Sequence, residues 1–427
     1  MNEIIINPSK DKWLQLTQRP QFNNAELEAS VLQILQTVKQ NGDEALRNYA
    51  LQFDGFAPDN FLVTPDEILA AAISIDKELK KAILTAKKNI EKFHLSQVEK
   101  VKKIETMPGV ICWRKSVPLE KVGLYIPGGS APLFSTLLML AIPAQIAGCN
   151  NITVCTPANK NGKLSIAILF VAHLLGIKKI YKVGGSQAIA AMAYGTETIE
   201  KVDKIFGPGN QFVTCAKKIV NHQGIAIDML AGPSELAVYA DETSVPAFVA
   251  ADLLSQAEHG HDSQVVLVAN DQKVIMRIIE QLHLQLQHSS RKDAAENSIA
   301  NSRFAVFDKT EDAFNFLNEY APEHLIIASK KSKKLQRYVK NAGSVFLGNY
   351  SPESAGDYAS GTNHSLPTNG TAKTQSGISV DSFVKKITFQ KLSKKGIKNI
   401  GTTVEKMAEA EGLDAHKNAV TVRLKEL

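Results

Sequence analysis

Between residues 24 and 40 the apolar positions Leu27, Val31, Ile34, Leu35 and Val38 recur at the spacing of a helix with one buried face, and Asn24 is placed to cap it. Gly42 and Asp43 end that helix and cap another over 44–53, and a further helical pair runs to about residue 100. The first quarter of the chain therefore reads as mainly helical. Ahead of it, some twenty polar residues around a lone Trp13 suggest an arm.

The pattern changes at Val110. A short apolar run, 122–126, enters a glycine turn and then a helix starting near Leu133; the same plan recurs at 180–185 into 186–194 and at 204–210 into 211–220. Between them, 152–156 supplies a strand and 164–175 a helix. Apolar strands alternating with helices of this length imply a parallel sheet covered on both faces. A second set of strands follows at 236–239, 264–269, 304–307, 325–328 and 344–347. Residues 351–368 show neither helical nor strand periodicity, and a long polar loop with so few charges points to function rather than disorder. From about Ser382 the chain is a lysine-rich helical tail. The fold class is α/β: two open, mostly parallel, incomplete Rossmann-like domains with a helical N-terminal segment and a helical C-terminal tail. The expected divisions are an arm at 1–22, a helical segment at 23–115 packing with the second α/β domain, α/β domains at 116–235 and 236–375, and the tail at 376–427.

Composition narrows the partners. At 427 residues, 44% hydrophobic and 22% charged, the chain can bury a large core, and a net charge of +6 with acids and bases intermixed calls for no nucleic acid. The lysine clusters at 330–334 and 391–398 lack interleaved aromatics and read as solvated helix faces. Cys112, Cys149, Cys155 and Cys215 form no close pairs and sit in apolar company, as in reduced, cytoplasmic proteins. The start lacks a signal-peptide pattern, and the apolar stretch 131–149, interrupted by Ser135, Thr136, Pro143 and Gln145, reads as a buried helix and not a membrane span.

Four groups of residues carry candidate chemistry. In 252–262, Gln256 and His259 stand three apart in a helical context, so both can converge on one metal atom, with Gly260 stopping the helix and His261 and Asp262 crowding beyond it. Asp357 and His364 in the polar loop offer a hard oxygen and an imidazole. Gln256, His259, Asp357 and a further histidine would make the mixed nitrogen and oxygen set that zinc accepts. The adjacent Glu323 and His324, after Pro322, suit general base work near neutral pH, although a bare Glu-His pair is by default a solvated turn. The glycine turns place backbone N–H groups at helix N-termini at the carboxyl ends of strands, where pyrophosphate binds, but no GxGxxG occurs. His416, behind Glu409 and Glu411, reads on its own as a surface residue.

Six stretches in order, VGLYIPGGSAPL at 122–133, IFGPGN at 205–210, LAGPSE at 230–235, DLLSQAEHG at 252–260, APEHL at 321–325 and SPESAGDYASGTNHSLPT at 351–368, resemble the histidinol dehydrogenase family across nearly the whole chain. The resemblance implies a zinc-dependent, NAD-linked oxidation of L-histidinol through L-histidinaldehyde to L-histidine in a cytoplasmic homodimer. It implies Gln256, His259, Asp357 and His416 as zinc ligands and Glu323 and His324 as the acid/base pair. Ser234, His364 and Glu411 join the zinc ligands and His324 as substrate contacts, and Tyr125, Gln187 and Asn210 contact NAD. His416 gains a role if the tail reaches the neighbouring subunit. Cys155, at a strand end near the glycine turns, could form a hemithioacetal, but it has no evident base beside it and reads as a buried strand residue. The competing readings are a paralogous zinc and NAD alcohol dehydrogenase, a zinc hydrolase without nucleotide, and a non-catalytic binding protein.

Overall fold

The computed structural model describes residues 3–19, 25–128, 133–230, 232–260, 263–289 and 291–427. The arm, far from loose, contributes strand β1 (Ile4–Ile6), followed by α1 (Lys10–Leu16). Trp13 is buried, edge-on to Phe307 and Phe316, with its indole N–H donating to the Pro8 carbonyl at 2.9 Å. The expected pair at 24–40 and 44–53 is α2 (Ala25–Asp54), which leaves helical geometry only at Gly42, where φ is +52°. Asn24 lies outside the described residues. Helices α3 (Pro65–Ser74) and α4 (Lys77–Leu95) complete the helical quarter, each with a side-chain cap, Thr64 and Asp76.

Strands β2 (Lys103–Met107) and β3 (Val110–Pro118) precede the first α/β unit. That unit runs β4 (Lys121–Tyr125), α5 (Phe134–Ala147), β5 (Asn151–Thr156), α6 (Ile166–Leu174), β6 (Lys179–Lys182), α7 (Gly185–Tyr194), β7 (Lys204–Phe206), α8 (Gln211–His222) and β8 (Ala226–Ile227). Its five strands, ordered β6-β5-β4-β7-β8, are all parallel. One face packs α3 to α6, through Ile68, Ile90, Leu137 and Phe170; the other packs α2, α7 and α8, through Leu35, Leu46, Ile189 and Val213, so α2 to α4 cover the first α/β unit and not, as expected, the second. Covering both faces is what lets these strands be apolar on both sides. No helix among the described residues is long and apolar enough to cross a membrane, and α5 is a core helix with ten buried residues.

The second unit runs β9 (Glu235–Ala240), α9 (Pro246–Ala257), β10 (Gln264–Ala269), α10 (Gln272–Leu286), α11 (Lys292–Ala300), β11 (Arg303–Val306), α12 (Thr310–Tyr320), β12 (His324–Ala328), α13 (Ser332–Leu335), β13 (Ser344–Leu347) and α14 (Glu353–Tyr358). Its parallel sheet is ordered β1-β11-β10-β9-β12-β13, so the N-terminal strand closes one edge. The polar loop expected at 351–368 contains the short helix α14, whose six residues are too few for periodicity to register. The expected helical tail is present as α15 (Lys394–Ala410) and α16 (Asp414–Lys425), but β14 (Val384–Leu392) comes before it and pairs antiparallel with β3 in a separate sheet, β14-β3-β2. Local spacing could not give β14, because its partner lies some 270 residues away and its lysines read as a helix face. Phe389 stacks on Trp113 across that pairing at 5.4 Å.

The turn after β7 is held from beneath. Lys217, 1% exposed on α8, donates to the Gly207 carbonyl at 2.9 Å and pairs with Asp228, which in turn accepts from the Gly207 N–H at 2.8 Å. Gly207 has φ +123° and a side chain there would collide with the Tyr125 carbonyl, so the position demands glycine. Lys217→Met leaves a buried carboxylate without its cation, and should lower unfolding free energy by about 3–5 kcal/mol in urea titration. The double variant with Asp228→Asn should recover part of that loss; equal stability of Lys217→Met and wild type would refute the role.

Candidate functional site

Just ahead of β12, Glu323 lines a cavity to which both sheet units contribute, the first through Pro127 and Gly207. Ala321, in the left-handed region at φ +50°, ends α12, and Pro322 blocks its continuation, so Glu323 and His324 enter the sheet beside β9. They do not form a solvated turn: Glu323 is 8% exposed and His324 4%. The Glu235 backbone holds both. Its N–H donates to Glu323 Oε2 at 3.0 Å, and its carbonyl lies 3.3 Å from His324 Nδ1. The Glu235 carboxylate is held in turn by a two-pronged bond from Arg19, at 2.9 and 2.8 Å, and by the Asn369 N–H at 2.7 Å.

Carboxylates surround the imidazole. Glu323 Oε2 and Glu353 Oε1 each lie 3.7 Å from His324 Nδ1, and Asp357 Oδ1 lies 3.5 Å from Nε2, which is buried without a hydrogen bond of ordinary geometry. Burial disfavours charge on His324, but Glu353, Glu323 and Asp357 outweigh it and push the imidazole up to about 10. Burial raises Glu323 and Glu353 to about 8 each, despite the imidazolium beside them. Asp357, which burial would also raise, is held below its ordinary value by His324. The cluster is short of positive charge, and ligating atoms of His324, Glu353 and Asp357 lie within 4.8 Å of one another.

The expected metal residues gather here in part. Gln256, 1% exposed in the last turn of α9, sets its amide against both oxygens of Glu353, where only the nitrogen end can donate, 3.1 Å from Oε2. The helix ends at Ala257, sooner than its composition suggests, and His259 follows in a turn with its N–H on the Gln256 carbonyl, within electrostatic reach of Asp357 and His324. His261 and Asp262 lie outside the described residues. His364 bonds through Nδ1 to the Asp357 carbonyl at 2.9 Å and through Nε2 to Thr136 at 3.3 Å, and burial lowers its pKa. Ser234 lies across a cavity of about 250 Å³ from Glu323 and His364. Glu411 and His416 stand apart, exposed on the α15–α16 hairpin that packs on β2 and β14. Glu353, Glu235 and Arg19 escaped the sequence reading; for Glu353 the signal was a glutamate directly after Pro352, at a helix start within a loop otherwise poor in acids.

A cavity of about 780 Å³ opens at the carboxyl ends of β4, β5, β6 and β7, lined by Tyr125, Gly128, Gln187 and Asn210. Tyr125 accepts the Gly185 N–H on its phenol oxygen at 3.1 Å, and burial raises it to about 12. Asn210 caps α8 through its side-chain oxygen. Gly128 and Gly184 both back onto Pro157, where a side chain would intrude. Pro127 borders this cavity and the one at Glu323, while Asn210 also borders a third, of about 920 Å³, that includes Ser234 and His259. Cys155 is wholly buried with its thiol pushed far up by burial, so it is no nucleophile.

The family model for histidinol dehydrogenase matches residues 17–424. The chain belongs to the histidinol dehydrogenase family. It is therefore an oxidoreductase of histidine biosynthesis, similar over the full length of both chains to the histidinol dehydrogenases of Bacteroides thetaiotaomicron, at 54% identity, and Haemophilus influenzae, at 51%. The crystal structure of histidinol dehydrogenase from Elizabethkingia anophelis aligns with a TM-score of 0.97 at 56% identity, covering 99% of this chain and 98% of that one. Within this family member, the raised imidazole gives a direct test. His324 should remain protonated at pH 8 in metal-free protein, and Glu353→Gln should lower its pKa by roughly one to two units in an NMR titration. The same linkage sets the sign for stability: His324, Glu323 and Glu353 hold protons more tightly folded than unfolded, so metal-free stability should fall as pH rises toward about 10.

Proposed function

We propose that the chain oxidises L-histidinol through L-histidinaldehyde to L-histidine, reducing two NAD+ with zinc bound at Gln256, His259, Asp357 and His416 of the partner subunit. The single observation that carries this reading is the buried Glu323–His324 pair, lying where the cavity behind Pro127 meets a carboxylate-rich cluster of ligating atoms. Tyr125, Gln187 and Asn210 are the NAD contacts. Ser234, His364 and Glu411 of the partner subunit, with His324 and the metal ligands, hold the substrate. A buried His324 nitrogen without a proper partner, beside carboxylate and amide donors, suits zinc. When bound, zinc would orient the substrate and offset the surplus carboxylate charge, and NAD would accept hydride.

Relieved of that surplus, His324 returns toward its ordinary pKa and can take the hydroxyl proton of the alcohol. Glu323, which burial holds protonated near neutral pH in the uncompensated cluster, can take a proton from the water that hydrates the aldehyde once the surplus charge is offset and its own proton has left. The Glu235 N–H keeps one Glu323 oxygen fixed while the other can face that water. Burial of the pair limits loss of the reactive aldehyde. Four free cysteines fit the reducing cytoplasm.

The test is NADH formed per L-histidinol consumed by stripped and zinc-restored protein. Two, only with zinc, is expected; one would indicate a paralogous alcohol dehydrogenase, and none the hydrolase or binding-protein reading. Glu323→Gln and His324→Asn should each lower kcat by about 10²–10⁴-fold. If the tail completes a neighbouring site, mixing inactive Glu323→Gln and His416→Ala subunits should restore activity in the mixed dimers, and failure to do so would mean that His416 does not act on the neighbouring subunit's site.

A further inference from the structure

Glu353 is a buried carboxylate that faces both His324 and Gln256. It is 2% exposed, at the first position of α14, and the one basic group the described residues set beside it is the His324 imidazole. The Gln256 amide packs against both its oxygens, and only with the nitrogen end on that side are the two groups satisfied, at 3.1 Å from Oε2; His324 Nδ1 lies 3.7 Å from Oε1. A carboxamide has two nearly isosteric ends with opposite hydrogen-bonding character, and only its oxygen can ligate a cation. An unrestrained Gln256 could present either end. Both Glu353 oxygens face one end of the amide, and only the nitrogen end has two N–H groups to match them, so contact with Glu353 selects one orientation and turns the amide oxygen away from it.

Resting on the zinc reading above, we propose that Glu353 is a positioning residue, which fixes the end of the Gln256 amide presented to the metal. Outer-shell partners of this kind typically govern metal affinity by 10- to 100-fold. The contact between α14 and α9 thus carries a specific task. Glu353 itself need not ligate zinc or touch substrate.

The experiment measures zinc affinity of the full-length protein by competition with a chromogenic chelator, without substrate or NAD. Glu353→Leu should bind zinc about 10- to 100-fold more weakly than wild type. Gln256→Ala should also weaken binding, and adding Glu353→Leu to it should change nothing further, because the orienting role has no object left. Additive losses in the double variant would overturn the proposal, as would wild-type affinity in Glu353→Leu. Undiminished zinc binding by Gln256→Ala would instead overturn the assignment of Gln256 as a ligand, a result distinct from the first two. Should Glu353→Leu fail to fold, Glu353→Gln carries the test: its amide can face Gln256 either way, so affinity should fall several-fold in the wild-type background and not in Gln256→Ala. Cobalt substitution adds an independent readout, since loss of the Gln256 oxygen should alter the visible d–d spectrum of Glu353→Leu as it does that of Gln256→Ala; a spectrum like wild type would count against the proposal.

Discussion

The backbone of Glu235 is the point on which the site depends. One residue at the entry to the central strand of a six-stranded sheet offers its N–H to a buried carboxylate and its carbonyl to the adjacent imidazole. Parallel pairing of β9 with β12 sets that geometry to the register of the sheet, with His324 opposite Leu236. Rigid elements hold functional groups more closely than loops do. The side chain extends the same junction outward: Arg19 grips its carboxylate and lies over the Tyr320 ring at 3.9 Å, joining the N-terminal arm to the floor of the site. Asn369 binds it from the far end of the polar segment.

Above that floor the electrostatics are deliberately unbalanced. Glu323, Glu353 and Asp357 crowd one imidazole in a place water scarcely reaches, and the protein alone resolves the conflict by keeping protons on groups that would otherwise lose them. Surplus negative charge of this sort is costly to bury unless something positive belongs there. A protonated His324 cannot serve as a base, so the arrangement makes sense as a site whose resting charge is completed from outside the chain. On this view the carboxylates have two tasks, attraction of a cation and adjustment of the imidazole.

Much of this was legible from the chain. Alternating apolar runs and helical stretches announced the two parallel sheets, and β10 and β13 occupy the very residues the pattern marks: β10, buried at every position, leaves a continuous apolar signature, and the edge strand β13 keeps a short one in Val345, Phe346 and Leu347. Elements defined by distant partners left little trace: β1 is three isoleucines in a polar arm, and β14 looks like a basic helix face until β3 is set beside it. Within the site, the Glu-His pair and the Gln-x-x-His spacing were visible, yet their burial was not, and burial is what turns Glu323 from a turn residue into a base. Glu353 passed unnoticed because its importance lies in what it faces. Glu411 and His416 lie on an exposed hairpin in a single chain, so their expected roles came only from resemblance.

The placement of β1 bears on how the molecule is made. Ile4 pairs with Phe304, and Val384 with Pro118, so the chain's opening strand waits for a partner about 300 residues downstream, and β3 waits for a strand in the last tenth of the sequence. At ribosomal rates of roughly 5–20 residues per second, the first segment remains unpaired for about 15 to 60 s. During that interval two sheet edges lie open to stray pairing with other chains. The five-stranded unit, by contrast, spans a continuous stretch, from Lys121 to Ile227, and can close its own sheet while the rest is still being synthesised. Maturation is thus split between an early, self-contained half and a late half, in which the catalytic floor is laid only after nearly all of the polypeptide has emerged.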